Sequence, residues 1–458
     1  MKDIMTGQER IRKAMRREAT DRVPWVPFVG VHGGYLLGIA ADEYLKNSEA
    51  IARGVGKAIE LYQPDGIPVV FDLQVEAEAL GCKVQWSKDN PPAVISHPLA
   101  EGKSPKDLPE LDAGSGRIPV CLEATRRLRE TYPEHALYGL ITGPFTLALH
   151  LAGTNIFMQM MEAPNEVNAL LEFCHDITCK MAGWYMDAGC DVIAVVDPMT
   201  SQIDPASFEQ FVFPPVTRLF EMIRNRDRLS SFFVCGYAQQ NIPAMCACRP
   251  DNISIDENIP LEYVRKVAEK HGISFGGNLK LTSVLSMGTP GEVEIHALET
   301  LEEGGDVGFI MAPGCDLVMG TPPENLQAVT RILADPYHRE FVKTVRSAKV
   351  EEEVPDLTDH WNADKVVIDI ITLDSSSCAP CQYMVEAMEL AARPYGDKAE
   401  CNEYSIKTRE GLQMMSALGV KNVPVTVMDG EILFVSQIPP ARNIEKAIQK
   451  KLRDKKLL

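Results

Sequence analysis

The sequence predicts an α/β protein: a (β/α)8 TIM barrel over residues 1–348, an acidic linker at 349–364 and a smaller α/β domain at 365–458. Three observations carry this prediction. Eight short apolar or β-branched runs recur, each followed by a segment of helical periodicity. The runs are too continuous for a strand with one wet face, as expected of a parallel sheet covered on both sides. The periodicity then stops at "KVEEEVPDLTDHWNADK" (349–365), which is acidic and contains Pro355, and a second strand-helix pattern starts beyond it.

In chain order, "MKDIMTGQERIRKAMRREATDR" reads as a short amphipathic helix opened by the capping box Thr6-Gly7-Gln8-Glu9. The eight runs are 23–29, 67–72, 137–143, 192–198, 231–236, 252–256, 273–279 and 307–315. Helices are expected at 48–62, 164–189, 205–225 and 260–272. A doubly wound open sheet is the alternative for such alternation. Past the linker the order is strand, C-x-x-C turn, helix, strand, helix, two strands and a final helix.

Bulk properties bound the function. The chain has 458 residues, 45% of them hydrophobic, so a normal core is available. Its formal net charge of -18 opposes binding to nucleic acid or an anionic membrane surface. No apolar stretch approaches the roughly 18 residues of a membrane span, and the first residues lack a signal-peptide core. Twelve scattered cysteines suggest free thiols in a reducing, cytoplasmic setting.

In a (β/α)8 barrel the chemistry collects at the carboxyl ends of the strands. There the sequence places His32, Asp72, Thr142 with Gly143, Asp197, Cys235, Asp256, Asn278 and Cys315. Asp197, before Pro198, is the catalytic candidate, although such an aspartate also suits a helix or turn cap. Asp72, Asn278, Asp256 and His32 are candidates for gripping substrate. Cys235 and Cys315 each adjoin a glycine, where backbone can approach a ligand closely.

The segments "ITGPFTLALHLAG" (141–153), "DAGCDVIAVVDPMTSQIDPASFEQFVFP" (187–214), "VCGYAQQNIPAM" (234–245), "ISIDENIPLEYVRKV" (253–267), "GGNLK" (276–280) and "APGCD" (312–316) resemble the uroporphyrinogen decarboxylase superfamily. They are most similar to its corrinoid-dependent methyltransferase branch, the methylcobamide:coenzyme M methyltransferases. The resemblance implies a TIM barrel and methyl transfer between a corrinoid (cobalamin) on a separate corrinoid protein and a small acceptor. The decarboxylase itself holds porphyrin carboxylates with an Arg-Gln-Ala-Gly-Arg stretch; here that place reads "FVGVHGG" (28–34), so a tetrapyrrole substrate is the lesser expectation. A non-catalytic corrinoid or metal carrier is a third.

In the methyltransferase branch zinc is held by a His-x-Cys and a later Cys. The resemblance puts Cys235 and Cys315 in the metal-ligand positions, with Phe233 where the histidine belongs. Three readings stay open: zinc with a replacement ligand such as Asp197, Glu257 or His32 and a thiol acceptor; no metal and a tetrahydrofolate acceptor; or a redox or soft-metal cysteine pair. The carboxy-terminal pattern resembles thioredoxin and glutaredoxin. That resemblance implies a redox dithiol with Cys378 attacking and Cys381 resolving, and Pro424 as the cis-proline opposite them. A cysteine at a helix N-terminus suits this, because the dipole stabilises thiolate.

Overall fold

A computed structural model describes residues 5–345, 357–376, 378–420 and 423–458, which divide into two compact units, 1–347 and 348–458. In the first unit the apolar runs become the parallel strands β1 Gly66–Pro68, β2 Ala136–Thr142, β3 Val192–Val196, β4 Leu229–Val234, β5 Asn252–Ile255, β6 Ser274–Leu279 and β7 Phe309–Pro313. They lie side by side in chain order. That order has no switch point, so the doubly wound sheet does not form.

The first run, 23–29, closes the ring without becoming a regular strand. Trp25 bridges Met311 of β7 in parallel, Val26 N–H donates to Met311 O at 2.9 Å, and Asp65 N–H donates to Trp25 O at 2.9 Å beside β1. Pro24 and Pro27 have no N–H to offer, so the ladder cannot extend along this segment. β1 is shorter than the expected 67–72, although Val69 N–H still donates to Tyr138 O of β2 at 3.1 Å.

Helix α1 (Gly7–Met15) starts at the expected capping box: Glu9 N–H donates to Thr6 Oγ1 and Thr6 N–H to the Glu9 carboxylate. It covers the amino-terminal end of the barrel, adding Ile11, Ala14 and Met15 to the interior core. Its Arg10 is 1% exposed and pairs with Asp21 and Asp65. Asp65 also accepts from Arg22 at 2.6 Å and from Trp25 N–H at 2.8 Å, so one carboxylate ties α1 to the closing segment.

Inside the ring, Phe28, Phe71 and Phe233 form one cluster with ring centroids 5.3–6.1 Å apart. Below them a cavity of only about 20 Å³ remains, room for about one water. The barrel is a packed core with an aromatic floor under its carboxyl-terminal mouth. Among the described residues no helix is long and apolar enough to cross a membrane.

The second unit runs β8 Val366–Thr372, α2 Ala379–Ala392, β9 Ala399–Ser405, α3 Arg409–Ala417, β10 Val425–Met428, β11 Glu431–Val435 and α4 Ala441–Asp454. Its sheet order is β9-β8-β10-β11, with the first pair parallel and the others antiparallel. Alternation along β8 feeds two cores: Ile368 and Ile370 pack with Met384, Ile444 and Ile448, while Ile371 packs with Met414 and Val427. Of the linker expected at 349–364, residues 349–356 lie outside the described residues. Thr358–Trp361 instead forms a helical turn fixed to this unit by Trp361 Nε1–H donating to Asp369 at 2.8 Å.

Candidate functional site

Cys235 follows β4 and Cys315 follows β7, and the fold brings their sulfurs to 2.8 Å from each other at the barrel mouth. Cys235 is 8% exposed and Cys315 is half-buried; both rest on the cluster that contains Phe28, Phe71 and Phe233. The shared Cys315 sulfur, followed by burial, pushes the Cys235 thiol well above its ordinary range, so it carries its proton at neutral pH.

Backbone holds both loops in place. Gly236, at φ +83°, donates its N–H to Asp256 Oδ2 at 2.8 Å, and Gly314 N–H donates to Leu279 O at 2.9 Å. Gly30 N–H donates to the carboxylate of Asp316, next to Cys315, at 2.9 Å. Gly314 must be glycine because a Cβ there would stand 2.7 Å from the Glu257 backbone nitrogen. That close approach puts Glu257 beside the Cys315 loop. Burial, then the Asp256 charge, pushes the Glu257 carboxyl up to about 8, against the pull of Leu281 N–H on Oε2.

Asp256 and Asn278 also reach this mouth, as brackets. Asp256 accepts from Gly236 N–H, Asn258 N–H and Asn258 Nδ2, and burial raises its carboxyl. Asn278 is half-buried and spends its Nδ2 on Ile259 O at 2.8 Å and Asp256 O at 3.3 Å.

Three expected site residues are placed elsewhere by nonlocal partners. Asp197, fully buried, accepts from Phe145 N–H, Thr146 N–H and Thr146 Oγ1, which caps the helix Pro144–Ala152; burial pushes its carboxyl to about 6. Its oxygens are occupied, and a catalytic role is not what the structure gives it. His32 is fully buried. Its Nδ1–H donates to Met319 O at 2.8 Å, so Nε2 accepts from Tyr62 O–H at 2.7 Å, and burial lowers the ring to about 4, leaving it neutral and committed. Asp72 is 3% exposed and paired with Arg117 at 2.7 Å, and that guanidinium also holds Glu78. None of the three is presented to a substrate.

Beside Thr142 stands Glu76, a residue that the strand-end pattern misses because it lies on a helix. It is 1% exposed, and burial pushes its carboxyl up to about 7. Thr142 N–H donates to Oε1 at 3.0 Å, while Thr142 Oγ1 lies 2.9 Å from Oε2 and 2.7 Å from Leu73 O. The hydroxyl has one proton, and the neutral acid completes the chain: Glu76 O–H to Thr142 Oγ1, Thr142 O–H to Leu73 O. Because the folded carboxyl sits above its usual 4.5, this stability is complete below that value and is lost as pH rises through about 7. In Glu76→Gln the amide donates in place of the acid. The difference in unfolding free energy between about pH 5 and about pH 8 should therefore shrink by about 1–3 kcal/mol. An undiminished difference in urea titrations would refute the neutral assignment.

Zinc does not fit the barrel thiols. A catalytic zinc needs three protein ligands, and among the described residues no group of three or more His, Cys, Asp or Glu side chains could hold a metal. Phe233, where the histidine was expected, is 2% exposed and packed into the aromatic floor. Of the replacement ligands considered from the sequence, Asp197 is spent on its helix cap and His32 on Met319 and Tyr62, while Glu257 stands beside the Cys315 loop and accepts from Leu281 N–H, and with the two cysteines it forms no group able to hold a metal among the described residues.

In the second unit Cys378 is the N-cap of α2 and is joined to Cys381 in a disulfide. Cys378 is half-buried and Cys381 fully buried, where its sulfur accepts Leu373 N–H at 3.3 Å. The Val423–Pro424 peptide is cis.

Residues 6–335 match the family described as uroporphyrinogen decarboxylase (URO-D). A methylcobamide:CoM methyltransferase of Methanosarcina acetivorans is 28% identical over 330 residues, covering 70% of this chain and 96% of that protein. A methylated-thiol–coenzyme M methyltransferase of Methanosarcina mazei is 30% identical over 266 residues, 57% of this chain and 70% of that protein. Among solved structures, a methyltransferase from Methanosarcina mazei superposes with a TM-score of 0.66 at 26% identity, covering 74% of this chain and 99% of that one. The family match spans the barrel that carries the thiol mouth, and the chain belongs to the uroporphyrinogen decarboxylase family.

Proposed function

We propose that the chain is a cytoplasmic, corrinoid-dependent methyltransferase that moves a methyl group between a corrinoid on a partner protein and a small thiol. Similarity to methylcobamide:CoM and methylated-thiol–coenzyme M methyltransferases supports the substrate classes. The observation that carries the reading is Glu257: a carboxyl raised to about 8 beside the Cys315 loop. Such a group suits removal of a proton from a thiol that itself ionises near pH 8 to 9. Glu257 takes the thiol proton, and the sulfur displaces the methyl carbon in line. The carbon–cobalt bonding pair stays with the corrinoid substrate. The barrel contributes position: the bracketed loops at Gly236 and Gly314 fix the mouth, and the aromatic floor excludes water.

The second unit we read as a thioredoxin-like redox module, with Cys378 as the attacking thiol, Cys381 as the resolving one and Pro424 opposite them. Its strand and helix order, the half-buried first cysteine at a helix N-terminus and the cis Pro424 support this.

The purified protein, given methylcobalamin with a panel of small thiols and, separately, tetrahydrofolate, should demethylate it with thiols, seen as loss of the methylcobalamin spectrum. No demethylation with any thiol, or demethylation with tetrahydrofolate alone, would overturn the reading.

A further inference from the structure

Two observations at the mouth fit poorly with inert or metal-bound thiols. Cys235 and Cys315, 80 positions apart in sequence, converge to 2.8 Å, while the third ligand position is filled by a phenylalanine facing the core. We propose that Cys235 and Cys315 are a redox pair that closes a reversible disulfide across the barrel mouth, with the Cys378–Cys381 dithiol as its exchange partner. The second clause rests on reading the second unit as a redox module; the first does not.

The geometry suits disulfide chemistry. A bond needs the sulfurs at about 2.05 Å, so closure asks for a shift of less than about 1 Å from where they stand. Each cysteine sits on a loop braced by a hydrogen bond of the neighbouring glycine, Gly236 to Asp256 and Gly314 to Leu279, which holds the two backbones in register at the mouth. The pair is also asymmetric: Cys315 is half-buried and so the more accessible thiol, and Cys235 is only 8% exposed. The same asymmetry holds between Cys378 and Cys381.

Exchange balances without another reactant. The Cys378 thiolate attacks Cys315 Sγ of the closed barrel disulfide and expels Cys235 as thiolate. Cys381 then attacks Cys378 Sγ and expels Cys315. Two electrons pass to the barrel pair, the two protons of the module's dithiol end on Cys235 and Cys315, and the module is left with the disulfide seen in the structure. Closing the barrel pair is the same sequence run backwards.

The test is alkylation and mass spectrometry of the full chain, poised in glutathione buffers of rising oxidised fraction. Cys235 and Cys315 should be lost to alkylation together, yield a linked peptide, and return together with dithiothreitol. In Cys315→Ser the linked peptide should vanish and Cys235 should stay reduced. Independent titration of the two thiols, separate glutathione adducts on each, or one equivalent of zinc released on blocking Cys315 would overturn the redox pair. For the exchange, a Cys378→Ser/Cys381→Ser double variant should recover barrel thiols about tenfold more slowly at limiting dithiothreitol. Equal rates would overturn the exchange and leave the barrel pair standing. None of these readouts depends on methyl transfer, so they separate from failure of the proposed activity.

Discussion

Replacing Asp65 with alanine should lower the unfolding free energy of the barrel by about 3–5 kcal/mol, the cost of breaking a buried ion network by removing one partner. Asp65 receives Arg10, Arg22 and the Trp25 amide, and Arg10 and Asp65 are each 1% exposed. Without Asp65, Arg10 and Arg22 each lose a buried carboxylate that they share, and the Trp25 N–H loses the acceptor it donates to at 2.8 Å. The measurement is urea unfolding followed by the fluorescence of Trp25, Trp86 and Trp184, all in the barrel. The exposed pair Glu262–Lys266 is the control, and breaking it should leave the unfolding midpoint essentially unchanged. An Asp65→Ala loss below about 1 kcal/mol would show that the network is not what holds the closing segment.

Glu257→Gln should reduce thiol-dependent turnover by about 10²- to 10⁴-fold, the usual contribution of a positioned general base. In the parent protein the rate should rise as Glu257 loses its proton through about pH 8 and then level off. The variant should lose that limb while binding thiol as before. Varying the acceptor separates the enzyme's group from the thiol's own ionisation: a limb set by Glu257 stays fixed as acceptor pKa changes. Stability provides a second check with a definite sign. A carboxyl raised above its usual 4.5 contributes stability that is complete below that value and lost as pH rises through about 8, so Glu257→Gln should be no less stable than the parent in alkali. A variant that keeps the parent's pH profile would remove Glu257 from the mechanism.

The barrel was legible because its strands are buried on both faces, and β2, β3 and β4 are buried at every position. Local capping chemistry was equally readable, since Thr6 and Glu9 lie three residues apart. The closing strand read from 23–29 was legible only as an apolar run; Pro24 and Pro27 reduce it to a bridge at Trp25. The site was half legible. Strand-end position marked Cys235 and Cys315, whose sulfurs the fold brings to 2.8 Å, and Asp256 and Asn278 on the adjoining loops. For Asp72, Asp197 and His32 it failed for one reason. A strand-end polar group is claimed by whatever donor or acceptor the fold brings up, and those partners, Arg117, Thr146 and Met319, lie 45, 51 and 287 positions away. Glu257 was visible as a residue type, but its proton affinity comes from burial and from Asp256, which only the folded loop reveals.

The bridge at Trp25 has a temporal consequence. Its partner on β7, Met311, lies hundreds of residues downstream, and the sheet reaches Met311 only through every intervening strand. On a ribosome the opening segment must therefore wait, with Trp25 and its apolar neighbours uncovered, until most of the barrel has been translated. During that interval helix α1 and the Asp65 carboxylate are the local partners available to it, since both lie within the first 65 residues. The ionic clasp at the base of the barrel would thus serve the nascent chain as a holding point before the ring exists.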